Sequence, residues 1–194
     1  MTQVASDFLH IPIKILRLGQ ISGHSKSGYW TTEDMIPILI QASALLGAFP
    51  IVNGHIDWIP SDVAAQSIHD ILMSKPIDMY TVYNITNPHR VPWSELVPIL
   101  QSSGVLSPTV REISISEWVL ELDKEGTKGT PFPGLQLLSF FESMALDHQQ
   151  FRKFVTEKAT RASNALRVCP EFHEGWMNLY VQSWRDKGFL QKAV

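Results

Sequence analysis

The chain has 194 residues, of which 44% are apolar and 18% are charged, and its formal net charge is −3. This length and apolar content suffice for one substantial core, so residues 1–194 are predicted to form a single domain. A small negative charge without a basic face excludes nucleic acid as an expected partner.

The cysteine count and the apolar runs indicate the compartment. The single cysteine, Cys169, excludes an internal disulfide framework and indicates a reducing compartment. No activating base lies near it in the sequence, so a buried cysteine is favoured over a nucleophile. The run from Met35 to Leu46 is too short to span a bilayer, and the amino terminus lacks the pattern of a signal peptide. A cytoplasmic protein without a membrane partner is predicted.

Residues 11–18 form a nearly continuous, isoleucine-rich run that Gly19 closes, which is typical of a buried strand in a parallel sheet. Residues 1–10 are predicted to be the end of a helix or a linker. Ligands of α/β sheets bind beyond the carboxyl ends of the strands. Residues 20–30 are therefore the expected pocket loop.

A helix is predicted from Thr31 to Leu46, with Thr31 or Thr32 as its cap and Gly47 as its end. Residues at helical spacing form its predicted buried face: Met35, Ile36, Leu39, Ala42, Leu45 and Leu46. Residues 48–60 are predicted to be irregular because they contain proline and glycine. A second helix, capped by Ser61 or Asp62, is predicted to reach about Met73, with Val63, Ala64, Ile68, Ile71 and Leu72 facing inward.

The rest of the chain is predicted to be mostly helical. Strands are predicted at Met79–Ile85 and Val110–Ile115, and helices at Trp93–Ser103 and Ser116–Asp123. Residues 124–133 are predicted to be a loop, and 134–190 three helices with turns near Asp147 and Pro170. The aromatic residues are assigned to the core: Trp93, Trp118, Phe140, Phe141, Trp176 and Trp184. The element order predicts an α/β chain with a small parallel sheet.

The pocket loop supplies the candidates for substrate binding, because loops on a rigid scaffold often carry function. These candidates are Gln20, Ser22, His24, Tyr29 and Trp30. For Gln20, a ligand contact and a backbone contact are equally expected. For Arg17, a structural charge is favoured over a pocket group.

Acid–base catalysis has four candidates, His24, Tyr29, Asp34 and Asp57, and no spacing singles one out. For Asp57 and Asp62, a helix cap and bonds to local amides are favoured over a paired acid and base. The histidines show no metal-ligand spacing, so no metal site is expected.

Several ordered pieces carry a family resemblance. They are Arg17-Leu-Gly-Gln-Ile-Ser-Gly23, Gly28-Tyr-Trp30, Gly47-Ala-Phe-Pro50, Asp57-Trp-Ile-Pro-Ser-Asp62 and Tyr83-Asn-Ile-Thr-Asn-Pro-His89. Together they resemble the second half of a terminal thioester reductase domain, an extended short-chain dehydrogenase/reductase. Such domains end fungal polyketide synthases, nonribosomal peptide synthetases and adenylate-forming reductases. The likeness covers nearly the whole chain, although Ser61 replaces a residue that is usually small and apolar.

The resemblance implies a partial extended short-chain dehydrogenase/reductase, with a parallel-sheet remnant and a mostly helical carboxyl-terminal substrate-binding subdomain. Members of this family hold NADPH at a glycine-rich turn after a first strand, and they use a tyrosine four residues before a lysine. No lysine here has a tyrosine four residues upstream, and Gly19, Gly23 and Gly28 follow a later strand. The expectation is that both features lie before residue 1, that this chain alone binds no cofactor, and that it transfers no hydride.

Two functions follow as alternatives. The first is the substrate-binding part of an NADPH-dependent reductase that releases a carrier-bound thioester as an aldehyde or alcohol. The second is a stand-alone non-redox cyclase, isomerase or binding protein for a polyketide- or peptide-derived intermediate. In either case an uncovered edge of the sheet predicts a homodimer, or pairing with a synthase or with a separate amino-terminal half.

Overall fold

The computed structural model describes residues 10–146 and 153–190. The predicted helix end or linker at residues 1–10 lies almost wholly outside these ranges, as does the turn at Asp147. In chain order the strands and helices of the described residues are β1 (Ile13–Leu18), β2 (Ile21–Ser22), α1 (Met35–Leu46), β3 (Ala48–Ile51), β4 (His55–Ile56), β5 (Ile59–Pro60), α2 (Ser61–Met73), β6 (Tyr80–Ile85), β7 (Val91–Pro92), α3 (Leu96–Ser102), β8 (Arg111–Ser114), α4 (Ile115–Gly126), α5 (Leu138–Leu146), α6 (Glu157–Ala162), α7 (Asn164–Arg167) and α8 (Glu174–Asp186). Short 3₁₀ turns cover Trp93–Glu95 and Leu135–Leu137.

The chain divides into two compact units. Unit 1 comprises Met1–Ser25, Asp57–Val91 and Lys153–Phe172, and unit 2 comprises Lys26–Ile56, Pro92–Arg152 and His173–Val194. The prediction of a single domain over residues 1–194 stays a prediction.

Unit 1 is built on the parallel pair β1–β6, in register from Ile13 opposite Tyr80 to Leu18 opposite Ile85. The two strands predicted at 11–18 and 79–85 are thereby confirmed. A shorter parallel pair, β2–β5, follows. Helices α2, α6 and α7 enclose a buried cluster made of Ile59, Ala64, Ile71, Tyr83, Ile85, Ala159 and Leu166.

The prediction that β1 is a buried strand is wrong. Ile13 to Leu16 are half-buried, Arg17 is exposed, and Leu18 is 47% exposed. The reason is that β1 pairs only with β6 among the described strands, so it does not lie in the interior of a wide sheet.

Unit 2 is built around α1, whose residues 36–40 and 42–43 are buried. Gly47 ends the helix in the left-handed conformation, with a φ of 62°, which glycine adopts without a steric penalty. The chain then enters β3, which pairs in parallel with β8 from Ala48 opposite Arg111 to Ile51 opposite Ser114. The predicted irregular segment 48–60 is therefore wrong for β3, β4 and β5, whereas the strand predicted at 110–115 is confirmed.

Several helix details differ from the predictions. The cap of α1 is Asp34 rather than Thr31 or Thr32, because its carboxylate accepts a hydrogen bond from the Met35 N–H. Pro60 precedes α2, and neither Ser61 nor Asp62 caps that helix. Three predicted core residues are exposed, because the helices carrying them are covered on one side only: Leu45 at 61%, Leu72 at 58% and Phe140 at 49%.

Helical structure dominates the carboxyl-terminal half, as predicted, although 134–190 holds shorter helices than expected. None of the helices in the described ranges is both long and apolar enough to cross a membrane. The α/β fold class with small parallel sheets is confirmed.

Candidate functional site

The loop that follows β1 is held tightly against its own unit. At Gly19 a Cβ atom would lie 2.7 Å from the Thr86 Oγ1, so only glycine permits this close approach. The carbonyl of Gln20 accepts a 3.0 Å hydrogen bond from the Ile59 N–H, and its side-chain amide donates to the Ile21 carbonyl at 2.9 Å. Gln20 therefore has the backbone contact that the sequence left open.

Asp62 fixes the end of this loop. Its Oδ1 accepts a hydrogen bond from the Ser25 N–H at 2.9 Å, and its Oδ2 accepts one from the Ser25 Oγ at 2.7 Å. The Nδ1 of His24 lies 4.0 Å from the same carboxylate. We call this group of three residues the Asp62 clasp. It joins the first turn of α2 to the loop beyond β1.

The electrostatics of the clasp keep the carboxylate ionised. Partial burial raises the pKa of Asp62, but the hydrogen bonds from Ser25, a bond from its own amide and the neighbouring His24 together lower it below its ordinary value of 3.8. The Ser25 hydroxyl donates directly to the carboxylate, whereas in a nucleophilic triad an imidazole stands between the two groups. The clasp is therefore a device that positions the loop.

Within this loop, Ser22 is 2% exposed and the His24 side chain is 41% exposed. The loop thus presents a partly accessible imidazole at the carboxyl end of β1. An imidazole can donate a hydrogen bond to an acceptor on a bound molecule.

The main-chain carbonyl of Asp57 holds the turn that follows β6. This carbonyl accepts hydrogen bonds from the Asn87 N–H at 3.0 Å and from the Thr86 Oγ1 at 2.7 Å. The Asn87 side chain donates in turn to the Pro170 carbonyl at 2.8 Å. Thr86 and Asn87 are both buried and were missed by the sequence analysis, although the Asn-Pro after a strand marks a turn.

The other candidates of the predicted pocket loop belong to unit 2. Tyr29 is 60% exposed, and the Lys187 Nζ lies 3.8 Å from its ring centroid. Trp30 is 3% exposed, and its Nε1 donates to the Asp34 Oδ2 at 2.9 Å. The Asp34 Oδ1 accepts from the Met35 N–H at 2.7 Å, so both carboxylate oxygens of Asp34 are already acceptors.

The packing of Trp30 explains its burial. Its ring lies 5.2 Å from that of Tyr180 and 5.6 Å from that of Trp184, and its carbonyl accepts a 3.2 Å hydrogen bond from the Trp184 Nε1. Gly28, with a φ of 69°, brings the preceding backbone against α8, since a Cβ there would lie 2.3 Å from the Leu179 carbonyl oxygen. Trp30 thus has a packing role in unit 2.

The structure divides the candidates at Ser25. Four of them, Gln20, Ser22, His24 and Asp57, lie in unit 1, and three, Tyr29, Trp30 and Asp34, lie in unit 2. Their action as one substrate pocket stays a prediction.

Cys169 is confirmed as a buried cysteine, with 2% exposure. Burial first, and the charge of Asp62 second, raise the pKa of Cys169 to about 11. The side chain is therefore a thiol at neutral pH and a poor nucleophile.

Unit 2 also holds an open cleft of ≈ 230 Å³ that the sequence analysis missed. It lies beside β3 and the 3₁₀ turn at Trp93. Its polar groups come from Asn53, His55, Ser94 and Glu112. The Trp93 Nε1 donates to the Pro50 carbonyl at 2.9 Å and so fixes one wall.

Two observations on the described residues bear on a metal or cofactor site. Among the described residues, no group of three or more His, Cys, Asp or Glu side chains is placed to hold a metal ion. The Cβ positions at Gly19 and Gly28 are filled by neighbouring chain atoms, so both glycines serve close packing. The expectation that the chain alone binds no cofactor stays a prediction.

Known proteins with similar sequences are fungal synthases and reductases. The family described as Male sterility protein matches residues 2–68. Non-reducing polyketide synthase SAT8 of Stachybotrys chartarum is 32% identical over 185 residues, which are 92% of this chain and 7% of that protein. Adenylate-forming reductase Nps9 of Serpula lacrymans is 29% identical over 198 residues, covering 90% of this chain and 18% of that protein. The chain thus spans a small part of these relatives.

Solved structures show the same fold. The terminal R domain from the myxalamid PKS-NRPS biosynthetic pathway matches with a TM-score of 0.79 and 23% identity, over 100% of this chain and 48% of that one. The R domain of a nonribosomal peptide synthetase from Mycobacterium tuberculosis matches with a TM-score of 0.69 and 18% identity, over 97% and 49%. The chain therefore resembles the carboxyl-terminal part of terminal thioester reductase domains, and its fold is that of the solved R domains.

Proposed function

We propose that this chain is the carboxyl-terminal, substrate-binding portion of an NADPH-dependent thioester reductase of secondary-metabolite biosynthesis. In the complete reaction NADPH would supply the hydride that reduces the thioester carbonyl carbon, and the carrier thiol would leave with a proton. The product is an aldehyde, or an alcohol after a second reduction. The role proposed for these residues is to bind and orient the acyl group, and no redox step is assigned to them.

The observation that carries this proposal is the Asp62 clasp. It holds the loop bearing Ser22 and His24 at the carboxyl end of β1, the position where α/β sheets bind ligands. Two hydrogen bonds to one ionised carboxylate make the loop conformation specific. The His24 imidazole can then donate a hydrogen bond to an acyl oxygen without prior reorganisation of the loop.

The relatives support the substrate class. Their names describe non-reducing polyketide synthases and adenylate-forming reductases. The proposed substrate is therefore a polyketide- or peptide-derived acyl group attached to a carrier protein. A cytoplasmic location and the absence of nucleic-acid and membrane partners remain part of the proposal.

A second candidate function is a non-redox enzyme or a binding protein for the same class of intermediate. The observation that favours it is the His24–Asp62 pair, because an imidazole beside a carboxylate can act as a general base. We assign the general base to His24, because its Nδ1 lies 4.0 Å from the Asp62 carboxylate, whereas both carboxylate oxygens of Asp34 already accept hydrogen bonds.

Both functions are tested with one small probe, the N-acetylcysteamine thioester of benzoic acid. Binding to the purified chain is followed by ligand-observed NMR, NADPH by its absorbance, and products by mass spectrometry. We expect binding without consumption of NADPH. His24→Gln should weaken binding severalfold, and His55→Gln, an exposed histidine of unit 2, should not.

The other outcomes separate the alternatives. Absence of probe binding would remove the substrate-binding proposal. Chemical conversion of the probe without NADPH would establish the non-redox enzyme. Oxidation of NADPH with release of benzaldehyde would show that the chain is redox-competent by itself.

A further inference from the structure

The open cleft of unit 2 has an apolar lining that is buried and fixed in place. Four side chains, each at most 6% exposed, form this lining: Phe49, Val52, Trp93 and Val97. The rings of Phe49 and Trp93 are stacked, with their centroids 6.0 Å apart. The Trp93 main-chain N–H donates to the Gly54 carbonyl at 3.0 Å, and its Nε1 donates to the Pro50 carbonyl at 2.9 Å. These bonds hold the loop after β3, so the cleft is formed before any ligand binds.

The cleft lies where a parallel pair of strands favours a ligand. Residues 52–55 follow the carboxyl end of β3, and β3 pairs in parallel with β8. Ligands of α/β sheets bind beyond the carboxyl ends of the strands. Within this pair Phe49 is opposite Glu112, so the two side chains lie on the same face. The Glu112 carboxylate therefore borders the cleft on the side of the stacked rings.

Four exposed polar side chains surround the apolar lining: Asn53, His55, Ser94 and Glu112. In residues 10–146 and 153–190, no hydrogen bond or ion pair engages any of these four side chains. Glu112 is the acidic residue among them, and the described lining of the cleft contains no lysine or arginine. The other three side chains offer neutral hydrogen-bond acceptors. The cleft thus presents an unpaired carboxylate and several acceptors around an apolar surface.

We propose that the cleft of unit 2 binds a small primary amine in its ammonium form. An ammonium group has three donors and no acceptor, and it forms a charge-assisted hydrogen bond with a carboxylate such as that of Glu112. An anionic ligand would be repelled by Glu112, and a neutral apolar ligand would cover the carboxylate without pairing it. The apolar part of the amine packs on Phe49 and Trp93.

The volume of the cleft limits the size of the amine. It is ≈ 230 Å³, whereas pockets for drug-sized ligands have about 300–1,000 Å³. The apolar part is therefore about one ring. This binding is independent of the thioester binding proposed for the loop at 20–25.

The test compares three probes of similar size that differ in charge. Phenethylamine is cationic, phenethyl alcohol is neutral, and hydrocinnamate is anionic. Binding to the purified chain is followed by two-dimensional amide NMR spectra. We expect phenethylamine to shift the signals of residues 51–55 and of the Trp93 indole N–H. The alcohol should bind about fivefold more weakly, and the acid should not bind. Phenethylamine should not displace the benzoyl thioester.

Substitutions in the cleft separate the contribution of charge from that of shape. Glu112→Gln keeps the size of the side chain and removes its charge, so it should weaken phenethylamine about fivefold and leave phenethyl alcohol unchanged. Glu142→Gln is the matched control, because Glu142 is an exposed glutamate of unit 2 outside the cleft, and it should change neither affinity. Ser94→Leu places a larger apolar side chain in the cleft and should weaken both ligands severalfold.

The three probes decide the proposal on the unaltered chain, even where a variant does not fold. Absence of signal shifts at about 10 mM phenethylamine would overturn it, and so would equal affinities for the amine and the acid. Unchanged affinity of Glu112→Gln for the amine, or of Ser94→Leu for both ligands, would overturn it as well. Shifts confined to residues 20–25, or displacement of the benzoyl thioester by the amine, would place the amine at the loop and not in the cleft.

Discussion

Replacing Asp62 with asparagine tests whether the clasp holds the loop beyond β1. The carboxylate accepts hydrogen bonds from both the N–H and the Oγ of Ser25, at 2.9 Å and 2.7 Å. An asparagine side chain has one acceptor oxygen, so one of the two bonds is lost and the other becomes neutral. The shape of the side chain is retained, and the change therefore reports on hydrogen bonding and charge.

The expected loss of unfolding free energy is about 1–2 kcal/mol. Hydrogen bonds to charged groups contribute about 1.5–3 kcal/mol to stability. The Asp62 side chain is 28% exposed, and solvent screening lowers this contribution to about 1–2 kcal/mol. Asp78→Asn, an exposed aspartate of the same unit, is the matched control and should change stability by less than about 0.5 kcal/mol.

The pH dependence supplies a second readout of the same clasp. The pKa of Asp62 lies below its ordinary value of 3.8 in the folded chain. The carboxylate therefore contributes fully to stability at pH values above its ordinary pKa of 3.8. This contribution is lost as the pH falls through the lower pKa of the folded chain. Urea unfolding followed by circular dichroism should show a constant difference in unfolding free energy between wild type and Asp62→Asn at about pH 5–7. This difference should become smaller toward about pH 3.

Two results would refute this reasoning. One is a gap smaller than about 0.5 kcal/mol at neutral pH, which would mean that the two bonds to Ser25 add nothing. The other is a gap that stays constant down to about pH 3. In that case the effect would come from packing and not from the ionised carboxylate.

Three further predictions use other parts of the chain. Ser163→Ala should lower the free energy of unfolding, measured in urea, by about 2 kcal/mol. The reason is that the buried Ser163 hydroxyl donates to Asp70 at 2.8 Å and accepts from the N–H of Leu166 at 3.2 Å. A loss below about 0.5 kcal/mol would contradict this. Gly28→Ala should lower the free energy of unfolding by about 3 kcal/mol, because the added Cβ would clash with the Leu179 carbonyl oxygen. Gly129→Ala is the control, since Gly129 has a similar φ and open space around it, and it should cost about 1 kcal/mol. Equal losses in the two variants would exclude the clash at Gly28. The thiol of Cys169 should react with iodoacetamide at pH 8 only as fast as the chain unfolds, and rapid labelling of the folded chain would contradict its burial and its pKa of about 11.

The sequence predicted the elements whose pattern is strong over a long stretch. The apolar run at 11–18 gave the position of β1, and Gly47 gave the end of α1. The sequence missed β3, because its four residues include Pro50 and lie between glycines. Its pairing with β8, more than sixty residues away, is a tertiary contact that no local pattern encodes.

Burial was harder to predict than helix position. Leu45 and Leu72 lie at the spacing of the inward face of their helices, yet both are exposed. The spacing identifies an apolar face of a helix, but it does not tell which part of that face another element covers. The same holds for the site. The sequence indicated separate roles for His24 and Asp62, and their contact with Ser25 depends on the register between the loop and α2.

The central claim is that the loop at 20–25 binds the acyl group of a thioester. The most direct measurement is photoaffinity labelling with a benzophenone-bearing N-acetylcysteamine thioester, followed by peptide mapping with mass spectrometry. The account predicts that the label falls on residues 20–25, that it is competed by the benzoyl thioester, and that it is reduced in Asp62→Asn. A label confined to residues 49–55, in the cleft of unit 2, would contradict the account.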